Sequence, residues 1–204
     1  EIAEFARNEA SRRLGIDVKE DLHTLPAGRR YDVVTLHHVL EHIADPTGFL
    51  ARDVAPRVGR LLLIEVPNFA SLAAQADGPA WQDLRPEQHI HHFEPRTLRA
   101  VVEAAGFEVL SVYTRMDALF SLYAGREMLR TLAALVRSRR FGPADLAPPP
   151  RRDAEPIDWS PPRGAKAAAL RAVHLAFLPL IRWIERTNRG TRLVLEAQLA
   201  PARL

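Results

Sequence analysis

Six of the eight histidines in this 204-residue chain fall into two short clusters, His37/His38/His42 and His89/His91/His92. Imidazole ordinarily titrates close to neutral pH, so grouped histidines suit proton transfer or metal ligation. The first cluster follows directly from the apolar run Tyr31 to His37 (YDVVTLH). In open α/β sheets, ligands sit in the crevice outside the carboxyl ends of the strands. Residues 38–42 (HVLEH) also spell the H-x-x-E-H pattern of inverted zinc peptidases. That chemistry needs both histidines one turn apart on a stable helix, with a distant carboxylate as third ligand. Here the segment leaves a strand and meets Asp45-Pro46, with little room for such a helix. A zinc hydrolase built on His38, Glu41 and His42 therefore stands only as an alternative, and no residue is assigned to a metal. The HIHH run at 89–92 offers alternate loop residues without carboxylate partners, a weak pattern for metal.

The elements that must position these residues follow from periodicity. Residues 1–14 carry Ile2, Phe5, Ala6, Ala10 and Leu14 near helical spacing, and Gly15 suits a left-handed helix stop. Ile16 to Glu20 is a short strand candidate. YDVVTLH and Leu61 to Val66 (LLLIEV) read as strands buried on both faces of a parallel sheet. Asp45-Pro46 predicts a helix start, with Asp45 as cap and Pro46 at the first helical position. A helix over Pro95 to Ala105 ends at Gly106, and Phe107 to Tyr113 (FEVLSVY) is a further strand. Strands alternating with helices of this length mean an α/β fold with a mostly parallel sheet.

These residues also carry a family resemblance. The segments DLHTLPAGRRYDVVTLHHVLEHIADP, GRLLLIEVPN and PEQHIHHFEPRTLRAVVEAAGFEVLSV resemble the later half of class I S-adenosylmethionine-dependent methyltransferases. The nearest branch contains the ubiquinone-biosynthesis O-methyltransferases. The resemblance implies a Rossmann-like sheet, S-adenosylmethionine as cofactor and a small-molecule acceptor. It places Asp21 and Leu22 at the adenine, and His37 and His38 beside the methionine moiety. Pro67, Asn68 and His91 fall on the acceptor side, and His89 becomes the candidate base. Read alone, Asp21 is equally a solvated turn aspartate, and His89 a structural histidine packed on Phe93 and Trp81. The family seats its cofactor on a glycine-rich turn after the first strand, yet no Gly-x-Gly occurs in this sequence. The resemblance therefore implies an incomplete sheet whose first two strands precede Glu1, and poor cofactor binding by this polypeptide alone.

By this reading residues 1–114 are the later portion of the core, 115–189 a helical insertion and 190–204 the last strand and tail. The insertion holds helical patterns at Asp117 to Arg140 and Ala165 to Glu185, the second broken at Pro179, around a proline-rich stretch at 143–162. Gly190 precedes the last strand candidate, Thr191 to Ala197. Residues 1–114 hold 12 Lys and Arg against 17 Asp and Glu, whereas 115–204 hold 16 against 8. Of the 28 basic residues, 26 are Arg, spread along the chain without interleaved aromatic platforms, so no nucleic-acid partner is assigned. With no cysteine and no signal pattern, nothing points to secretion, and the expected location is cytoplasmic. The apolar stretch Ala172 to Ile181, bracketed by Arg171 and Arg182, is too short to span a bilayer. Three readings stay open for 165–185: helices packed on the sheet, a lid over the acceptor, or a helix lying on the anionic inner face of a membrane. A non-catalytic, membrane-associated interaction module built on 115–204 is the remaining alternative. Flotation with anionic liposomes at low salt separates these: the membrane reading predicts co-flotation that high salt reverses, and absence of binding removes it.

Overall fold

The computed structural model describes residues 3–116, 164, 175 and 178–201. Its centre is a four-stranded sheet in the order β1-β2-β4-β3. β1 (Tyr31–His37) and β2 (Val58–Pro67) run parallel, and β4 (Arg192–Leu199) enters antiparallel between β2 and β3 (Phe107–Arg115). All four lie where the apolar runs predict strands. β-Branched and large apolar side chains favour the pleated, half-buried surface they occupy.

Two helical segments cover one face. α2 (Pro46–Phe49) begins as the sequence predicts: the Asp45 carboxylate accepts the Gly48 N–H at 2.8 Å, and Pro46 fills the first helical position. That N–H, and then the Arg52 guanidinium, hold the Asp45 carboxyl below its ordinary range. The helix widens into a π-turn over Leu50–Val54 before β2. α3 (Pro95–Ala104) is entered through the Glu94 N–H, which donates to Thr97 Oγ1 at 2.9 Å. Leu50, Val54, Leu98 and Val102 then pack on Leu36, Leu62, Ile64 and Leu195 to form the core. Each such burial contributes about 1.5–3 kcal/mol.

The opposite face of the sheet differs from expectation. Its residues Val33 and Leu110 are 47% and 50% exposed, so the unbroken apolar runs are not buried on both sides among the described residues. Ile16 to Glu20 is likewise not a strand: it has no ladder partner, Ile16 is 54% exposed, and Lys19 pairs with Asp17 instead. An extended segment becomes a strand only when a neighbour takes up its backbone hydrogen bonds. α1 (Glu4–Leu14) does end at Gly15, which adopts φ 65° and donates its N–H to Ser11. Its predicted apolar stripe is not buried, with Phe5 and Leu14 exposed. The helix read over Asp117 to Arg140, the proline-rich 143–162 and most of 165–177 lie outside the described residues. Residues 178–186 are helical and bury Ile181 and Ile184. No described helix is long and apolar enough to cross a membrane.

One side chain ties the entry of β4 to the end of β2. Asn68 is fully buried, and its amide donates to Gly190 O at 2.8 Å and Asn188 O at 3.3 Å while accepting from Ala70 N. Gly190 passes so near β3 that a Cβ there would lie 2.7 Å from the Arg115 carbonyl oxygen. Two substitutions test this junction. Asn68→Ala strands two carbonyls and should cost about 1–3 kcal/mol in urea unfolding. Gly190→Ala should cost a similar amount, about 1–3 kcal/mol, by pushing β3 aside. An unchanged midpoint in either variant would show that the junction relaxes freely.

Candidate active site at the carboxyl edge of the sheet

The parallel pairing of β1 with β2 brings His37 opposite Glu65 and opens both strands toward the same edge. His38 continues the ladder, donating its N–H to Glu65 O at 2.9 Å, and then turns the chain away with φ 51°. A left-handed histidine is strained and persists only where its surroundings hold it. The holding contact is Glu41, whose Oε1 lies 3.1 Å from His38 Nδ1. Leu40–His42 form a single 3-10 turn rather than an α-helix. The H-x-x-E-H pattern is therefore not displayed as zinc peptidases require, and the Glu41 side chain points inward, only 1% exposed. His37 is exposed, its Nδ1 3.8 Å from Glu65 Oε1.

The second histidine cluster is stitched to this turn. His42 Nδ1 lies 2.9 Å from Gln88 O, the His91 N–H donates to Glu41 O at 3.1 Å, and His91 Nε2 lies 3.3 Å from Ala44 O. His89 is buried, with its Nδ1 2.7 Å from Asp83 O. Its ring partner is His42, edge-on at 4.8 Å, rather than Phe93 or Trp81. His92 is the residue that packs against Trp81 and Phe69. Asp83 in turn forms a half-buried ion pair with Arg192, the first residue of β4, at 3.2 Å. The order of support thus runs from β4 through Asp83 to His89.

The structure brings His37, His38, His89 and His91 to one edge, and adds two residues not assigned from sequence, Glu41 and His42. Their signal was the acidic residue inside the first histidine cluster, which fits no apolar period. Asn68 and Pro67 lie at the same edge but are buried. The Asn68 amide is wholly engaged in the latch described above, so its role here is structural rather than contact with an acceptor. Asp21 and Leu22 lie elsewhere. Leu22 lines a small cavity with Arg29, Arg52, Pro56 and Arg57, next to the amino ends of β1 and β2. The Asp21 carboxylate caps its own 3-10 turn, accepting from His23 N at 2.6 Å and Thr24 N at 3.2 Å. This is the geometry of a turn aspartate.

Comparisons with known proteins bear on the family and the fold. A family profile described as "Methyltransferase domain" matches residues 3–112. A SAM-dependent methyltransferase from Thermotoga maritima superposes with a TM-score of 0.53 at 15% identity, over 98% of this chain and 71% of its own. A protein from Galdieria sulphuraria described as a sarcosine dimethylglycine methyltransferase follows at 0.46, 16% identity and coverage of 98% and 68%. Coclaurine N-methyltransferase, bound to N-methylheliamine and SAH, gives 0.42 at 14% identity, with 97% and 58% covered. No curated protein matches the sequence. The Thermotoga likeness establishes the fold, and the family match spans more than half of the chain. The protein belongs to the class I S-adenosylmethionine-dependent methyltransferases, and S-adenosylmethionine is its methyl donor.

Proposed function

We propose that the acceptor is a small molecule and that it meets the methyl donor at the edge formed by His37, His38 and His89. The observation that carries this reading is the fixed tautomer of His89. A carbonyl oxygen can only accept, so Nδ1 carries the hydrogen toward Asp83 O, and in the neutral ring the lone pair then falls on Nε2. Bound S-adenosylmethionine supplies an electrophilic methyl group on a sulfonium. An oxygen, nitrogen or carbon nucleophile suffices for such a transfer, and most of the catalytic demand is alignment. A hydroxyl acceptor also has to lose its proton, and His89 Nε2 is the atom we assign to receive it. Resemblance to the ubiquinone-biosynthesis O-methyltransferases favours oxygen.

The fit to the cofactor is partial within this sequence. The backbone at His37 and His38 and the carboxylate of Glu65 line the edge where a cationic methionine moiety is electrostatically welcome. The glycine-rich turn that the family resemblance implies for the remainder of the cofactor is not matched by any Gly-x-Gly in these 204 residues. Pro67 and His91 shape the acceptor side. Any peripheral membrane contact would run through 165–185.

Calorimetric titration of the full-length protein with S-adenosylmethionine tests the reading, and a clean absence of binding removes it. His89→Asn should leave donor affinity unchanged while slowing methyl transfer to a hydroxyl acceptor by about 100-fold or more. An unchanged rate would leave His89 a structural residue.

A further inference from the structure

Next to His38 the structure gathers three side chains, Glu41, His42 and His89, each with a ligand-type atom that has no hydrogen-bond partner among the described residues. Glu41 is 1% exposed; His38 occupies its Oε1, and Oε2 has no hydrogen-bond donor. A buried carboxylate oxygen left without a donor is costly, and native proteins seldom tolerate one without an occupant that satisfies it. His42 and His89 each present Nδ1 to a backbone carbonyl, Gln88 O at 2.9 Å and Asp83 O at 2.7 Å. Both rings are thereby fixed with the hydrogen on Nδ1 and a free lone pair on Nε2. Metal-ligating histidines are held and oriented in this way. One ligand-type atom from each of Glu41, His42 and His89 lies within 4.8 Å of those of the other two.

We propose that Glu41, His42 and His89 form a binding site for one divalent first-row transition cation. Ligand atoms held at about 2.0–2.2 Å from a common zinc-like ion sit roughly 3–4 Å apart, so a contraction on the order of an ångström closes the site. Two imidazole nitrogens and one carboxylate oxygen suit zinc, cobalt(II) or manganese(II). The chain has no cysteine to recruit a softer ion. His42 is solvent-exposed, so the outer coordination positions open toward water or an acceptor heteroatom. The arrangement differs from the peptidase reading of the same residues. Glu41 is a ligand rather than a base, and His38 is a positioning residue that holds Glu41 through Oε1.

Cation and proton compete for one atom, Nε2 of His89. The metal-free site activates a hydroxyl acceptor through that nitrogen. A cation held by Glu41, His42 and His89 would instead act as a Lewis acid, lowering the pKa of an acceptor hydroxyl bound to it. Metal binding needs neither methyl donor nor acceptor, so its failure would leave the proposed transferase chemistry standing.

The test uses tag-free, chelator-stripped protein titrated with cobalt(II) and zinc at neutral pH by calorimetry and visible absorption. One equivalent of cation should bind. Glu41→Gln and His89→Asn should each weaken affinity by at least about 100-fold, and His38→Ala by roughly 10–100-fold. His23→Ala should leave affinity unchanged. If a variant fails to fold, NMR of the unaltered protein decides, because cobalt(II) should shift the ring protons of His42 and His89 and not those of His23. Sub-stoichiometric binding, affinity that survives both ligand substitutions, or shifts centred on other histidines would overturn the proposal.

Discussion

The antiparallel entry of β4 between β2 and β3 is the constraint on which the rest of the molecule depends. β4 supplies Leu193, Leu195 and Ala197 to the core, all fully buried, and it alone joins the parallel pair β1-β2 to β3. The cost of this arrangement is loop closure, since β3 ends at Arg115 and β4 begins only at Arg192. Closure entropy grows slowly with loop length, so two ladders and a packed face outweigh it. The Asn68 amide and the close passage of Gly190 then set where the strand enters.

The same strand supports the candidate edge. Arg192 pairs with Asp83, the Asp83 carbonyl orients His89, and His89 stands edge-on to His42. The candidate edge is thus assembled from segments remote in sequence, with His42, His89 and His91 each held against a backbone carbonyl. Such support fixes tautomer and ring angle together, as transfer chemistry governed by alignment requires.

What the sequence disclosed follows from the range of each interaction. The four strands and the Asp45-Pro46 helix start are local, written in runs of apolar residues and in one cap, and all lie where they were read. Only one of the three strand pairs is parallel, however, so the described sheet is mixed rather than mostly parallel. The candidate strand at Ile16 fails because a strand is a property of two segments, and periodicity inspects only one. Burial of YDVVTLH on both faces fails for a related reason, since the covering layer on its second face is not contributed by the described residues. Asp21, read both as an adenine contact and as a turn aspartate, adopts the turn geometry, because a 3-10 cap is available two residues away. The two histidine clusters do meet at one edge, but Asn68 as a latch and Glu41 as an inward carboxylate were not legible. Their partners lie far along the chain or depend on the left-handed turn at His38.

The stitched loop at 82–93 has a consequence for how the edge opens. It is fastened to the turn at 38–45 through Gln88 and His91, to β2's exit where the Phe69 N–H meets Phe93 O, and to β4 through Asp83. These fastenings share one short, continuous piece of backbone, so releasing any one leaves the others holding it. Admission of a bulky guest past His42 is therefore an all-or-none event for the whole flap rather than a fraying of its tip.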